Sequence, residues 1–265
     1  MKSAAITLSI FRYDPAQPEI EPFLQDFRLP RVEGMTLFLA LTKLREEVDP
    51  SLRFDFVCRA AICGSCGMLI NGRPALACKT LTSDLPDRTT LQPLPVFRLL
   101  GDLTVDTGSW FRQMARRTGS WLHSDRPFNP HAPEERMANE TALHVYELER
   151  CIECGCCIAG CGTANIRHDF IGAAGLLRIA RFMVDPRDER QPPQYYDVVG
   201  TDDGAFGCLG LVACHDVCPK EIPLQQQLAY VRRTLARAAL SGHAPRREPE
   251  VNASATAGSS TAEPV

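Results

Sequence analysis

The stretch Cys151–Cys161, CIECGCCIAGC, has the cysteine spacing of a bacterial-type ferredoxin. Its cysteines are separated by two, two and three residues, and Gly162 stands where a proline commonly follows. A later run, Cys208–Pro219 or CLGLVACHDVCP, repeats the spacing but has Leu211 at the second cysteine position. Because a further cysteine group precedes both, Cys151–Cys161 is called the second run and Cys208–Pro219 the third run. Paired runs of this kind bind two iron–sulfur clusters, so the sequence predicts a domain built around two clusters.

The two runs are expected to share their ligands, because in two-cluster ferredoxins the last cysteine of each run ligates the other run's cluster. The first predicted cluster, a [4Fe–4S] cube, takes four thiolates, from Cys151, Cys154, Cys157 and Cys218. The second takes three, from Cys161, Cys208 and Cys214. Since leucine cannot bind iron at the remaining corner, the second set predicts a three-iron [3Fe–4S] cluster. Cys156 falls outside the spacing, and we expect it to be a small buried apolar residue.

A separate cysteine group lies earlier in the chain and has the plant-type [2Fe–2S] spacing. Its predicted ligands are Cys58, Cys63, Cys66 and Cys78. Gly64, Ser65 and Gly67 lie among them. Such small residues let backbone N–H groups approach the sulfur atoms, which carry negative charge when they bind iron. The group therefore predicts a [2Fe–2S] cluster in a tight loop.

The residues around this first group predict a β-grasp ferredoxin fold. Alternating apolar residues at 6, 8 and 10 indicate a first strand. Thr36 can cap a helix from Leu37 to about Glu47, and Asn71-Gly72 between two apolar runs indicates a hairpin. We therefore predict an α+β protein whose residues 1–105 form a β-grasp [2Fe–2S] domain.

Beyond residue 105 the apolar pattern becomes helical. Helices are predicted within SWFRQMARRTGSWL (109–122), GAAGLLRIARFM (172–183) and LQQQLAYVRRTLARAAL (224–240), with a polar loop over 123–140. Arg178 and Arg181 are expected on a solvated helix face. Residues 106–242 are thus predicted to be an all-α, bacterial-ferredoxin-like domain. Residues 243–265, rich in Ala, Ser, Pro and Glu, are predicted to be a disordered tail.

The composition limits the classes of protein to consider. The net charge of −3 lacks the basic excess of a nucleic-acid-binding protein. No apolar run reaches the roughly 18 residues that cross a bilayer, and the N-terminus does not resemble a secretory signal. Twelve cysteines without an export signal argue against structural disulfides. Zinc typically takes four ligands in two knuckles, so three denser groups favour iron–sulfur chemistry.

The order of the three cysteine groups carries a family resemblance. CRAAICGSCGMLINGRPALAC, CIECGCCIAGC and CLGLVACHDVCPK together resemble the iron–sulfur subunit of succinate dehydrogenase and quinol:fumarate reductase, over residues 1 to about 240. The family combines a β-grasp domain with an all-α ferredoxin domain. Its cluster ligands match the eleven cysteines assigned above. The segment GTANI after Cys161 lacks the tryptophan that lies near ubiquinone in mitochondrial-type enzymes.

The resemblance implies an electron relay between partner subunits. DFIGAAGLLRIARFMVDPRDER and ACHDVCPKEIPLQQQLAYVRR look most like fumarate reductases whose membrane subunit is a diheme cytochrome b that uses menaquinone. Electrons would pass from menaquinol and haem b through the [3Fe–4S], [4Fe–4S] and [2Fe–2S] clusters to FAD in a flavoprotein that reduces fumarate. A Rossmann-type glycine fingerprint is absent from the sequence, consistent with a flavin held elsewhere. The chain would be a peripheral subunit on the cytoplasmic face of the bacterial inner membrane. A dimer is one option for the oligomeric state of the whole complex.

Two further residues are candidates for the quinone end of the relay. His215 follows Cys214 and Lys220 follows Cys218-Pro219, so either could lie near a quinone at the three-iron cluster. Three other functions stay open: the same relay run mainly as succinate dehydrogenase, a freestanding soluble polyferredoxin, or the iron–sulfur subunit of another flavin dehydrogenase.

Overall fold

A computed structural model describes residues 4–242 except 128, 132, 134 and 135, and the predicted tail over 243–265 lies outside the described residues. The strands are β1 Ala5–Arg12, β2 Phe23–Pro30, β3 Gly67–Ile70, β4 Arg73–Leu76, β5 Arg88–Gln92, β6 Arg98–Gly101 and β7 Thr104–Asp106. The α-helices are α1 Leu37–Glu47, α2 Thr107–Thr118, α3 Asn139–Glu149, α4 Cys156–Ala159, α5 Gly162–Ile166, α6 Gly172–Val184, α7 Pro192–Val199, α8 Ala213–Asp216 and α9 Leu224–Leu240.

Five strands form one mixed sheet in the order β2-β1-β5-β3-β4. β1 pairs antiparallel with β2 and parallel with β5, and β3 pairs antiparallel with both β4 and β5. The predicted hairpin joins β3 to β4 at Asn71 and Gly72, whose φ angles of 51° and 77° fit a two-residue turn of type I′. β6 and β7 form a separate antiparallel pair.

The predicted first helix covers one face of this sheet. The hydroxyl of Thr36 accepts a hydrogen bond from Leu39 N and caps α1, as the sequence predicted. The apolar face of α1 packs with the inward residues of β1, which are fully buried: Ile6, Leu8 and Ile10 from the strand and Leu37, Leu41 and Leu44 from the helix. A mixed sheet crossed by one helix is the predicted β-grasp arrangement, which is therefore confirmed.

The second half of the described chain is helical. Between residues 107 and 242, the described residues form no strand. α6 is buried on nearly all sides and packs against α2, α3, α4 and α9. The structure adds α3 and α7 to the three predicted long helices, and α3 begins inside the segment expected to be a polar loop. The change from strands to helices comes at Asp106–Thr107, and the domain boundary at residue 105 stays a prediction.

The described residues form two hydrophobic cores, one in the β-grasp half and one in the helical half. The second cysteine run packs with both. Ile158 belongs to the helical core, whereas Cys156 packs with the core of the β-grasp half. The side chains of Arg73 and Lys79 also reach backbone carbonyls near the third run, at Asp216 (2.6 Å) and Pro219 (3.0 Å). Within the described residues, no helix is both long and apolar enough to cross a bilayer.

Asp102 holds the β6–β7 hairpin against the end of β1. Its carboxylate accepts hydrogen bonds from Arg12 Nε at 3.2 Å, from Tyr13 N at 2.8 Å and from Arg53 N at 2.8 Å. The side chain is almost fully buried, and Leu103 beside it enters the β-grasp core. Because one carboxylate binds donors from two separate segments, residues 12–13 and Arg53, this contact closes the β-grasp half beside the start of α2.

Replacing Asp102 by alanine should destabilise the β-grasp half strongly. The change leaves two partly buried backbone N–H groups and one guanidinium N–H without this acceptor, which costs about 3 kcal/mol. A loss of that size lowers the unfolding midpoint by roughly 10 °C or more in a domain this small. The measurement is a thermal scan by far-ultraviolet circular dichroism, at one scan rate for all variants.

The matched control is Glu47→Ala, which removes an exposed partner of Lys43 in the same half of the chain. Such exposed pairs contribute about 0.2–1 kcal/mol, so the control should lower the midpoint only slightly. Equal midpoints for the two variants would contradict the role assigned to Asp102.

Candidate metal centres

The first cysteine group forms a loop in which backbone N–H groups point at sulfur atoms. Cys58 Sγ accepts from Ala60 N, Ile62 N and Cys63 N at 3.2–3.4 Å. Ala61 N donates to Cys78 Sγ at 3.3 Å, which brings the distant fourth cysteine to the same loop. Donors of this kind stabilise negative charge on sulfur, which is the form of cysteine that binds iron.

Two cysteines of this loop have opposite electrostatic surroundings. Burial opposes ionisation of Cys63, but hydrogen bonds from the Ser65 hydroxyl and from backbone N–H groups outweigh it and lower the pKa of Cys63 to about 6. The Ser65 hydroxyl lies 3.4 Å from Cys63 Sγ. Burial raises the pKa of Cys66 to about 12. The loop thus presents one thiolate toward solvent and holds another thiol inside.

The second group brings cysteines from both ends of the helical half together. Burial, with repulsion from the neighbouring sulfurs of Cys154 and Cys218, raises the pKa of Cys151 to about 11. Burial also raises the pKa of Cys157 well above its usual value, with added repulsion from the sulfurs of Cys154, Cys151, Cys214 and Cys218. One cavity is lined by four cysteines, Cys151, Cys154, Cys157 and Cys218. Cys218 therefore lies with the members of the second run.

The remaining three cysteines form a third group. Burial raises the pKa of Cys214 to about 11, and the sulfurs of Cys161 and Cys208 add to the effect. Leu211 is not packed into the helical core, since 67% of its surface is exposed. It lies over the start of α5, where a Cβ on Gly162 would be 2.9 Å from Leu211 Cδ1. The leucine therefore sits at the outer rim of the three-cysteine group.

Cys156 has the buried environment that the sequence predicted. It has no exposed surface and packs among residues of the β-grasp core. Its thiol donates a hydrogen bond to the sulfur of Cys154, which lowers the pKa of Cys154 against the opposing effect of burial. Cys156 thus supports one member of the second group and anchors its loop to the β-grasp half.

The two candidate quinone residues lie in different surroundings. His215 is exposed on α8, directly beside Cys214 of the third group. Lys220 is partly buried and lines a cavity together with Cys151, Cys157 and Cys218 of the second group. Its carbonyl accepts a hydrogen bond from Arg150 Nη2 at 2.6 Å. The structure therefore brings His215, and not Lys220, to the three-cysteine group.

Some residues near the second group were missed or misread from the sequence. Arg178 and Arg181 are not on a freely solvated face. Arg178 Nη2 lies 2.6 Å from Glu153 Oε1, and Arg181 pairs with Glu149 and Asp185. Glu153 precedes Cys154, so the Arg178 pair steadies the loop that holds this cysteine. Helical spacing alone could not identify Glu153 and Glu149 as partners, because they lie on other segments.

Backbone strain is another feature that the sequence did not indicate. Non-glycine residues with φ between 50° and 63° occur beside each cysteine group: Arg59, Ala61, Glu153 and Val212. This left-handed conformation is costly for residues with a Cβ and is commonly found where a binding loop imposes it. The loops thus adopt shapes that serve the sulfur positions and not local backbone preference.

The donor sets suit iron–sulfur clusters. Each group offers sulfur ligands, the first with backbone N–H donors aimed at them, and all twelve cysteines are free of disulfides. In the described part of the chain, no three His, Cys, Asp or Glu side chains surround a point as ligands of a single metal ion. Four or three sulfurs around a common pocket are the arrangement that an iron–sulfur cluster requires.

Family models match both halves of the chain. A model described as a 2Fe-2S iron-sulfur cluster binding domain matches residues 7–112. A model described as a 4Fe-4S dicluster domain matches residues 147–222. The two matches agree with the β-grasp and helical ferredoxin-like halves of the fold. They support one [2Fe–2S] site and a helical domain for two clusters.

Relatives with known roles match nearly the whole chain. The fumarate reductase iron-sulfur subunit of Wolinella succinogenes is 54% identical over 231 residues, which are 87% of this chain and 97% of that protein. The succinate dehydrogenase iron-sulfur subunit of Coxiella burnetii is 35% identical, over 89% of this chain and all of that protein.

A solved structure shows the same fold. A chain of the Mycobacterium smegmatis Sdh1 complex in the apo form superimposes with a TM-score of 0.78 at 26% identity, covering 90% of this chain and 98% of that one. The cysteine groups, the two-part fold and these relatives agree. The chain belongs to the family of iron–sulfur subunits of fumarate reductases and succinate dehydrogenases, oxidoreductase complexes in which it serves as an electron-transfer subunit.

Proposed function

We propose that eleven cysteines hold three clusters in one line of electron transfer. Cys58, Cys63, Cys66 and Cys78 hold [2Fe–2S], Cys151, Cys154, Cys157 and Cys218 hold [4Fe–4S], and Cys161, Cys208 and Cys214 hold [3Fe–4S]. The observation that carries this assignment is the cavity that Cys218 lines together with Cys151, Cys154 and Cys157 of the other run. When bound, the clusters supply one-electron carriers, and a [3Fe–4S] cluster is typical of the family. The residues hold them and tune them through burial and hydrogen bonds.

The complex we propose is a menaquinol:fumarate reductase. The higher identity to a fumarate reductase subunit than to a succinate dehydrogenase subunit supports this direction. The alternative is the same relay run mainly as succinate dehydrogenase. Rates of fumarate reduction and succinate oxidation in the purified complex discriminate between them, since the proposal expects the first rate to exceed the second.

The three-cysteine end of the chain is proposed to meet a membrane cytochrome b that carries haem and menaquinone. Three exposed apolar side chains surround this end: Ile166 (78% exposed), Leu209 (66%) and Leu211 (67%). Such a patch is typical of a docking surface, and exposed His215 lies beside it. The chain would then be a peripheral subunit on the cytoplasmic face of the inner membrane. Because Lys220 lies toward the second group, we assign the quinone vicinity to His215 alone.

The opposite end is proposed to meet the FAD-containing flavoprotein. Val57 and Ile62 are largely exposed on the loop of the first cysteine group. Arg59 lies between them in the chain, held over the rings of Phe38 and Phe56 at 5.6 and 5.9 Å. Exposed apolar residues at both ends argue against a freestanding soluble polyferredoxin, whose cluster loops would be expected to carry a polar surface.

Iron analysis tests the ligand sets. The protein purified without oxygen should contain about nine iron atoms per chain, and its oxidised form should show the EPR signal of a three-iron cluster. Leu211→Cys should add about one iron and remove that signal, because a fourth thiolate completes the ferredoxin spacing. The added negative charge should lower the cluster's reduction potential and slow quinol-driven fumarate reduction. An unchanged three-iron signal in the variant would mean that leucine is not what leaves the corner empty.

Ser65→Ala should lower the reduction potential of the [2Fe–2S] cluster. The Ser65 hydroxyl donates a hydrogen bond to Cys63 and so stabilises the more negative, reduced state of the cluster. The variant loses this hydrogen bond. A neutral hydrogen bond of about 1 kcal/mol corresponds to a shift of roughly 40 mV for one electron. An EPR-monitored redox titration measures the shift, with the other two clusters as internal references. Ser65→Thr keeps a hydroxyl and should restore most of the potential, whereas equal potentials for all three proteins would refute the effect.

Leu209→Glu should release the chain from its membrane partner. The charge enters the proposed apolar docking patch, so the chain should move from the membrane fraction to the soluble fraction while its cluster content stays unchanged. Leu143→Glu places the same charge on an exposed apolar residue of α3 and serves as the control. Chemical crosslinks should join the helical half, and not the β-grasp half, to the cytochrome. Crosslinks from the β-grasp half alone would reverse the proposed polarity.

A further inference from the structure

The loops of the first and second cysteine groups touch through their backbones. Gly64 lies between Cys63 and Cys66 with φ at 77°. A Cβ placed on Gly64 would be 2.7 Å from Cys154 Cβ, 2.8 Å from Cys154 Cα and 2.9 Å from Ile152 O. Real Cβ atoms do not approach other atoms this closely, so only glycine allows the two loops to meet at this distance. No side chain therefore lies between these loops at their point of contact.

Neighbouring residues hold this contact in place. A Cβ on Gly67 would be 3.0 Å from Cys154 O, so a second glycine borders the same carbonyl. Cys154 and Ile152 both pack against the β-grasp core, and so does fully buried Cys156. Arg73 and Lys79 bind the carbonyls of Asp216 and Pro219 in the third run. The loop of Cys154 is thus fixed to the β-grasp half at several points, which makes the Gly64 contact a defined spacing.

The spacing matters for electron transfer. One-electron tunnelling slows exponentially as the gap between two carriers widens, and packed or bonded atoms bridge a gap better than empty space. Cys63 and Cys154 belong to two different proposed clusters. The path from Cys63 through the adjoining Gly64 to Cys154 needs a single van der Waals step. A methyl group at residue 64 would push the two loops apart and lengthen this step.

We infer that Gly64 is a positioning residue that sets the separation between the [4Fe–4S] and [2Fe–2S] clusters and provides their direct contact at Cys154. Cys154 and Cys63 would each hold a one-electron carrier, and an electron passing between them would oxidise the carrier at Cys154 and reduce the carrier at Cys63. No bond is made or broken, and no proton moves. The inference rests on the ligand sets proposed above.

The test is EPR spectroscopy of Gly64→Ala in the full-length chain within its purified complex. In the fully reduced protein both clusters are paramagnetic, and their magnetic interaction speeds the spin relaxation of [2Fe–2S]. The variant should show a lower microwave power at half saturation for the [2Fe–2S] signal, because the interaction weakens steeply with distance. Iron content and the potentials of both clusters should stay unchanged, while fumarate reduction slows. A residue that merely supports folding would not change relaxation at constant cluster content.

The matched control is Gly72→Ala. Gly72 also has φ at 77°, but a Cβ there would meet no atom within 4 Å, so the variant carries the same backbone strain without the contact. It should keep the relaxation of the unmodified protein. Gly67→Ala is the second test variant, since Gly67 has no positive φ and its Cβ meets the same loop. This variant should also lower the half-saturation power. If Gly64→Ala does not load its clusters, the result for Gly67→Ala decides whether the contact between the loops sets the relaxation.

The outcomes separate this inference from the proposed ligand sets. Unmodified protein that lacks the [2Fe–2S] or [4Fe–4S] signal would contradict the ligand sets, and the inference would fall with them. A second outcome is that the unmodified protein has both signals, and that a fully loaded Gly64→Ala variant has the same [2Fe–2S] spin relaxation and the same rate of fumarate reduction. That outcome overturns the positioning role and leaves the ligand sets intact. If relaxation changes equally in Gly72→Ala, strain and not contact is responsible, which also overturns it.

Discussion

The position of Cys218 among the sulfurs of Cys151, Cys154 and Cys157 is the constraint on which the helical half depends. Bringing a cysteine from the third run to the second run forces the segments around α4 and α8 to pack together. α6 and α9 then enclose both runs in one apolar core. Burial raises the pKa of several of these thiols, so the sites favour neutral thiols until a cation compensates for their charge. Bound iron supplies that compensation, and the fold and the clusters therefore stabilise each other.

In the β-grasp half, hydrogen bonds favour the charged form of a ligand cysteine. Its loop lies near the surface, and backbone N–H groups and the Ser65 hydroxyl lower the pKa of Cys63 despite burial. Residues with left-handed backbone, such as Arg59 and Ala61, let successive N–H groups face the sulfurs. Asp102 closes this half by binding three donors from two separate segments. The loop of Cys154 packs against the core of this half.

Much of this arrangement follows from local sequence. The helix capped by Thr36 and the hairpin at Asn71-Gly72 were predictable because capping and turn chemistry act over a few residues. α3 was missed because Leu143 and Tyr146 are exposed while Val145 and Leu148 are buried, so its apolar residues do not mark one face. The pairs of Arg178 with Glu153 and of Arg181 with Glu149 could not be predicted either, since ion pairs between distant segments leave no periodic signal.

The sequence by itself determined the number and kind of candidate ligands, the missing cysteine at residue 211 and the two-part fold, because cysteine spacing and apolar periodicity can be read along one chain. Only the tertiary structure decided that Leu211 faces outward, that His215 and Lys220 lie at different cysteine groups, and that Cys156 joins the β-grasp core. It also decided that Gly64 touches Cys154. Such contacts depend on how the two halves of the chain pack, and packing is set by shape and burial in three dimensions.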